Sequence, residues 1–128
     1  MSYYYTKITD YDFDEAIEKV TEELQKEGFG VLTEIDVKAT FKKKIDVDFR
    51  PYRILGACNP HFAHQAIQAE EKIGTMLPCN VIVQQLDNGK VEVSAVNPMA
   101  SMMAVKNDAL EDIASQVSNK LENVIKQL

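Results

Sequence analysis

The sequence predicts a two-layer α+β domain: a curved, mainly antiparallel sheet with helices packed on one face and a long C-terminal helix. Three observations lead there. Runs with strand alternation and runs with helical period succeed one another along the chain. Asp87-Asn88-Gly89 sits between two apolar runs, which signals an antiparallel hairpin, since Asn-Gly supplies the positive φ values of a tight turn. Leu110, Ile113, Val117, Leu121, Val124 and Leu128 recur at spacings of three and four, the stripe of one amphipathic helix. Such a mixture of hairpin and helices fits a layer of helices on a sheet.

Taken in order, Tyr3 to Ile8 is a short β-prone start. Asp12 then precedes Phe13, Ala16, Ile17, Val20 and Leu24 at helical spacing. Asp12 can cap this helix, Glu15 stands at the capping-box position, and Gly28 is placed to end it in the left-handed conformation. Phe29 to Ile35 reads as a strand. Asp36 can cap a short second helix through Val37, Thr40 and Phe41, and Asp46, Asp48 and Pro51 break its pattern. Tyr52 to Ala57 is a second apolar strand. Asn59-Pro60 starts a third helix, because asparagine caps and proline suits the first helical position. Gly74 and Pro78 interrupt that helical stretch. Asn80 to Gln85 and Val91 to Val96 form the hairpin, Asn97-Pro98 closes it, and Met99, Met102 and Met103 fill a connection. The last helix spans roughly residues 107 to 127.

The 128 residues are 45% hydrophobic and 27% charged, with a formal net charge of -6. At 14.4 kDa the chain is one domain, residues 1–128, with enough burial for one core. Binding to nucleic acid is not expected, since such binding rests on neutralising phosphates. No run is long and apolar enough to span a bilayer, so no membrane association is expected. Two cysteines and no signal peptide point to the cytoplasm with reduced thiols. The charge is uneven: residues 10–27 carry a net charge of -6, while residues 38–53 carry +4 through Lys38, Lys42, Lys43, Lys44, Arg50 and Arg53 against Asp46 and Asp48. Each is the pattern of a solvated face; the basic one is also a candidate surface for an anion or acidic partner.

Chemistry-bearing residues concentrate in Gly56-Ala57-Cys58-Asn59-Pro60-His61-Phe62-Ala63-His64, where a strand gives way to a helix. Free N–H groups and the dipole at a helix start stabilise a thiolate, so Cys58 is a candidate nucleophile. Cys79 is its candidate partner. Cys58, His61 and His64 are also candidate ligands for a soft metal. Against these stands the commoner role of a free cysteine as a small core hydrophobe. Asn59, His61, Met99 and Met102 are candidates to line a ligand pocket. No phosphate loop, serine elbow, zinc-protease motif or calcium loop is present, and no cofactor is expected.

The run Tyr52-Arg-Ile-Leu-Gly-Ala-Cys-Asn-Pro60, the helix with His61 and Ala63, and Leu77-Pro-Cys-Asn-Val-Ile-Val83 resemble the domain-of-unknown-function family 302. The Asp87-Asn88-Gly89 hairpin and Val96-Asn97-Pro98-Met99 resemble it too. The resemblance covers nearly the whole chain. It implies a compact α+β domain with a curved antiparallel sheet, a long C-terminal helix and a homodimer, found alone or beside redox and sulfur-related domains. It implies no activity; cysteines recur at the positions of Cys58 and Cys79. The expected function is binding of a small ligand or of a protein partner, a redox or sulfur-related protein among the candidates. The alternatives are a thiol-dependent enzyme or redox sensor using Cys58 with Cys79, and a soft-metal (Zn or Cu) site.

Overall fold

Side-chain alternation produces five strands in the computed structural model, which describes residues 1–128. They are β1 Tyr4–Thr9, β2 Gly30–Asp36, β3 Tyr52–Cys58, β4 Cys79–Gln85 and β5 Val91–Val96. The helices are α1 Phe13–Lys26, α2 Val37–Ile45, α3 Pro60–Ala69, the single-turn α4 Pro98–Ser101, and α5 Asp108–Lys126; a 3₁₀ segment, Glu71–Met76, leads from α3 to β4. The strands form one sheet in the order β1-β5-β4-β3-β2. Every neighbouring pair is antiparallel.

The period of two gives the sheet two unlike faces. Leu55 and Ala57 on β3, Val81 and Val83 on β4, and Val91, Val93 and Ala95 on β5 are all at most 1% exposed. They meet Val20 and Leu24 of α1 and Leu121 and Val124 of α5 in one core. The C-terminal stripe is therefore spent on the chain's own core. On the other face, Ile35, Ile54, Ile82, Ser94 and Thr6 run across all five strands in one row of register partners. Ser94 is buried there because Thr6 Oγ1 lies 2.7 Å from its hydroxyl and the two share a hydrogen bond.

The caps act as the sequence predicts. Asp12 accepts from Glu15 N–H at 2.8 Å, and Asp36 accepts from Ala39 N–H at 2.9 Å. Gly28 adopts φ +87° after α1. The hairpin differs from the expectation of a tight turn with positive φ at both central residues. Leu86 N–H donates to Lys90 C=O at 2.8 Å, and only Gly89, at φ +85°, is left-handed. The connection is thus a three-residue loop closed by a glycine bulge, in which Asn88 instead accepts from Lys90 N–H at 2.9 Å. The segment between β5 and α5 is also more ordered than a plain connection, because Asn97 and Pro98 start α4, with Met99 N–H donating to Asn97 Oδ1 at 3.1 Å.

The basic segment projects from this body. α2 buries none of its residues. Lys42 pairs with Asp46 at 2.9 Å and Asp48 at 3.4 Å, and Lys38 donates to Phe49 C=O at 2.8 Å. Arg53 points to the helix face instead, between Glu34 and Asp36 and 5.5 Å from the Phe13 ring centroid.

Candidate functional site

The junction of β3 and α3 opens onto an internal pocket of about 50 Å³. Its first wall is the strand end and helix start: Ala57, Cys58, Asn59 and Phe62. Asn59 turns the chain here, accepting from Phe62 N–H at 3.5 Å while its amide donates to Glu27 C=O at 3.4 Å. Leu77, Pro78 and Cys79 form the second wall as the chain enters β4. Leu110, Ile113 and Val117 of α5 form the third, and Met102 closes one side.

Gly56 permits this close approach. A Cβ on Gly56 would run into Thr33 Oγ1 and stand 2.8 Å from Pro78 Cγ, so a side chain there would push β2 or Pro78 away. The pocket is almost wholly apolar, and Cys58, Phe62, Ala63 and Met102 at its margin are only half-buried. Water placed there would find few partners, whereas an apolar group would exchange hydration for contact.

Both cysteines line this pocket as free thiols. Ala57 is the direct register partner of Cys79, so Cys58 is one residue out of step with it. Burial first, and then the neighbouring Cys58, push the Cys79 thiol up from its ordinary 9.0 to about 11. Cys79 is therefore held as a neutral thiol and behaves as a small apolar wall residue. Cys58 remains half-exposed at the mouth.

Asn59, Cys58, Cys79 and Met102 thus line one pocket. His61 and His64 do not: both are exposed on the outer side of α3 and neither lines the pocket. No group of three or more His, Cys, Asp or Glu side chains is placed to hold a metal ion. Cys58, His61 and His64 therefore do not form the three-ligand soft-metal set their spacing offers, because successive residues leave the strand end and the helix turn in different directions. Met99 lies outside this pocket and lines a neighbouring one. Phe62, Leu77, Leu110, Ile113 and Val117 carry no chemical signal in the sequence. Their apolar periodicity marks them as core, and only packing reveals that space remains between them.

A second concavity, of about 430 Å³, lies on the uncovered sheet face. Tyr3, Tyr4 and Tyr52 bound it, with Ile82, Gln84 and Ser94 among its floor residues. Arg50 Nε donates to Gln84 Oε1 at 2.9 Å, and Gln84 Nε2 donates to Glu92 Oε1 at 3.2 Å. No helix of the chain is long and apolar enough to cross a membrane.

The family model described as domain of unknown function DUF302 matches residues 5–128. Among solved structures, the chain is similar to the uncharacterized conserved protein DUF302 from Bacillus stearothermophilus, at 29% identity. The match covers 99% of this chain and 98% of that one, with a TM-score of 0.92. No curated protein matches the chain.

Proposed function

The chain belongs to the DUF302 family, and from that premise we propose that it is a binding protein for a small, neutral, apolar ligand held between β3, α3 and α5. The observation that carries this reading is the apolar pocket at the β3–α3 junction, open at a half-buried margin and almost free of polar groups. A space of about 50 Å³ takes the end of a short alkyl chain or a small ring. A carboxylate or phosphate would lose its hydration there without a charged partner. Cys58 and Cys79 then serve as soft wall residues. The reading carries with it a reducing, cytoplasmic setting in which both thiols stay free.

Amide chemical shifts followed through a titration with a short-chain alkanol, with its carboxylate analogue as comparator, test it. Saturable shifts at Cys58, Phe62, Leu110 and Val117 with the alkanol alone are expected. They should vanish in Ala66→Leu, which fills the pocket from α3, and in Ala63→Phe, which blocks its half-buried margin. Absence of saturable shifts, or equal binding by both folded variants, overturns the reading.

The partner we propose is a second copy, seated on the open sheet face. Ile8, Ile35 and Tyr4 are 55%, 48% and 41% exposed on that face, and Glu92 is the only carboxylate among its central register partners. Five strands about 4.8 Å apart and about 20 Å long give roughly 500 Å² per copy. Two such faces reach about 1,000 Å², the lower bound for a specific interface. Sedimentation should give twice 14.4 kDa for the native chain and the single mass for Ile82→Glu and Ile8→Glu. A native monomer, or variants that stay dimeric, would remove this partner.

A further inference from the structure

Of the five methionines in the chain, four line a single pocket of about 210 Å³ beside α4 and the start of α5. Met99, Met102 and Met103 stand at i, i+3 and i+4. Backbone hydrogen bonds from Met102 N–H to Pro98 C=O at 3.0 Å and from Met103 N–H to Ala100 C=O at 3.3 Å carry the turn of α4 through them. In such a turn Met102 lies on the face of Met99, with Cβ atoms about 5–6 Å apart, and Met103 follows it just past the end of α4. Their flexible arms can bring three thioether sulfurs to one point. Met1 joins them at the rim, and Glu111 of α5 lines the same pocket.

We propose that the Met99-Met102-Met103 pocket binds one soft monovalent cation, Cu(I) or its analogue Ag(I). Thioethers are soft, neutral donors, and such donors select Cu(I) over the hard cations that demand oxygen ligands. Three neutral sulfurs leave the charge of a monovalent ion uncompensated, and the Glu111 carboxylate on the pocket wall supplies one negative charge to balance it. Met99 and Met102 are half-buried and Met103 is 60% exposed, so the ion enters from solvent and is covered on its inner side by Pro98 and Leu110. The ion is bound and released as it arrives, with no change of oxidation state. The site adjoins the β3–α3 pocket, sharing the wall of Pro98, Met102, Leu110 and Ala114, while Met99, Met103 and Glu111 belong to it alone.

The experiment is a titration with Ag(I), followed by NMR of protein carrying ¹³C-labelled methionine methyl groups. The Cys58→Ala variant is used, so that its half-exposed thiol does not compete; Cys79 is buried and protonated. The methyl signals of Met99, Met102 and Met103 should move together and saturate at one equivalent while that of Met76 stays in place. Zn(II) at the same concentration should move none of them. Met102→Leu, which keeps volume and fold, should weaken binding roughly tenfold or more. Glu111→Gln, on the exposed side of α5, should weaken it several-fold. Signals that do not saturate, a parallel shift of Met76, an equal response to Zn(II), or unchanged affinity in the Met102→Leu variant overturns the proposal.

Discussion

Cys79 gives the structure a quantitative consequence at alkaline pH. Its side chain is 7% exposed among Ala57, Leu77 and α5 residues. Burial and the adjacent Cys58 raise its thiol from 9.0 to about 11. In the unfolded chain the thiol ionises near the ordinary value. The unfolded state therefore loses its proton first as pH rises. Stability is intact below about pH 9, falls between about 9 and 11, and levels off above, where both states are ionised. At about 1.4 kcal/mol per pH unit, the full loss is about 3 kcal/mol. Denaturant unfolding of the native chain and of Cys79→Ala across this range measures it. The substitution also removes packing, but that cost does not depend on pH, and lysine and tyrosine titrations are common to both proteins. The difference between the two curves should fall by about 2 kcal/mol from about pH 8 to 11 and approach the full loss only above that. The same ionisation makes Cys79 thiolate about a hundredfold scarcer than an ordinary thiolate at about pH 8. Iodoacetamide labelling should thus mark Cys58 first and Cys79 at least a hundredfold more slowly in the folded chain. A flat difference curve, or Cys79 labelled as fast as Cys58, would refute the reasoning.

Two further predictions concern the frame around the pocket. Gly56→Ala should cost about 1–3 kcal/mol in denaturant unfolding, because its methyl group meets Thr33 and Pro78; an unchanged midpoint would mean that β2 yields without cost. Ser118 on α5 bonds the Tyr5 hydroxyl and donates to Asn97 Oδ1 at 2.9 Å, joining α5 to β1 and to the start of α4. Ser118→Ala should therefore cost about 1–3 kcal/mol by leaving buried polar groups short of a partner, and a Tyr5→Phe/Ser118→Ala double variant should cost less than the sum of the two single changes.

Local signals along the chain make much of the fold legible. Asp12, Asp36 and Asn59 each cap the helix that their side-chain chemistry predicts. The alternation in Val91, Val93 and Ala95 faces the core as the period of two requires. These outcomes depend on residues within one turn or one strand, so the sequence by itself determines them. It also determines the α+β class, the place of the β3–α3 junction and the presence of Cys58 and Asn59 at it.

The rest depends on contacts between residues far apart in the chain. Pairing of β1 with β5, and of β3 with β4, arises from how the strands assemble into a sheet. That assembly sets Ala57 beside Cys79 and brings α5 over both. It leaves the apolar space that no periodicity marks, and it turns His61 and His64 outward. It also gathers Met1 to the methionines beyond residue 98, a grouping that sequence separation conceals. The physical reason is common to all of these. Caps and alternation are fixed by short-range hydrogen bonding and side-chain direction. Cavities, thiol acidity and the sharing of a pocket arise only where separate elements exclude water together.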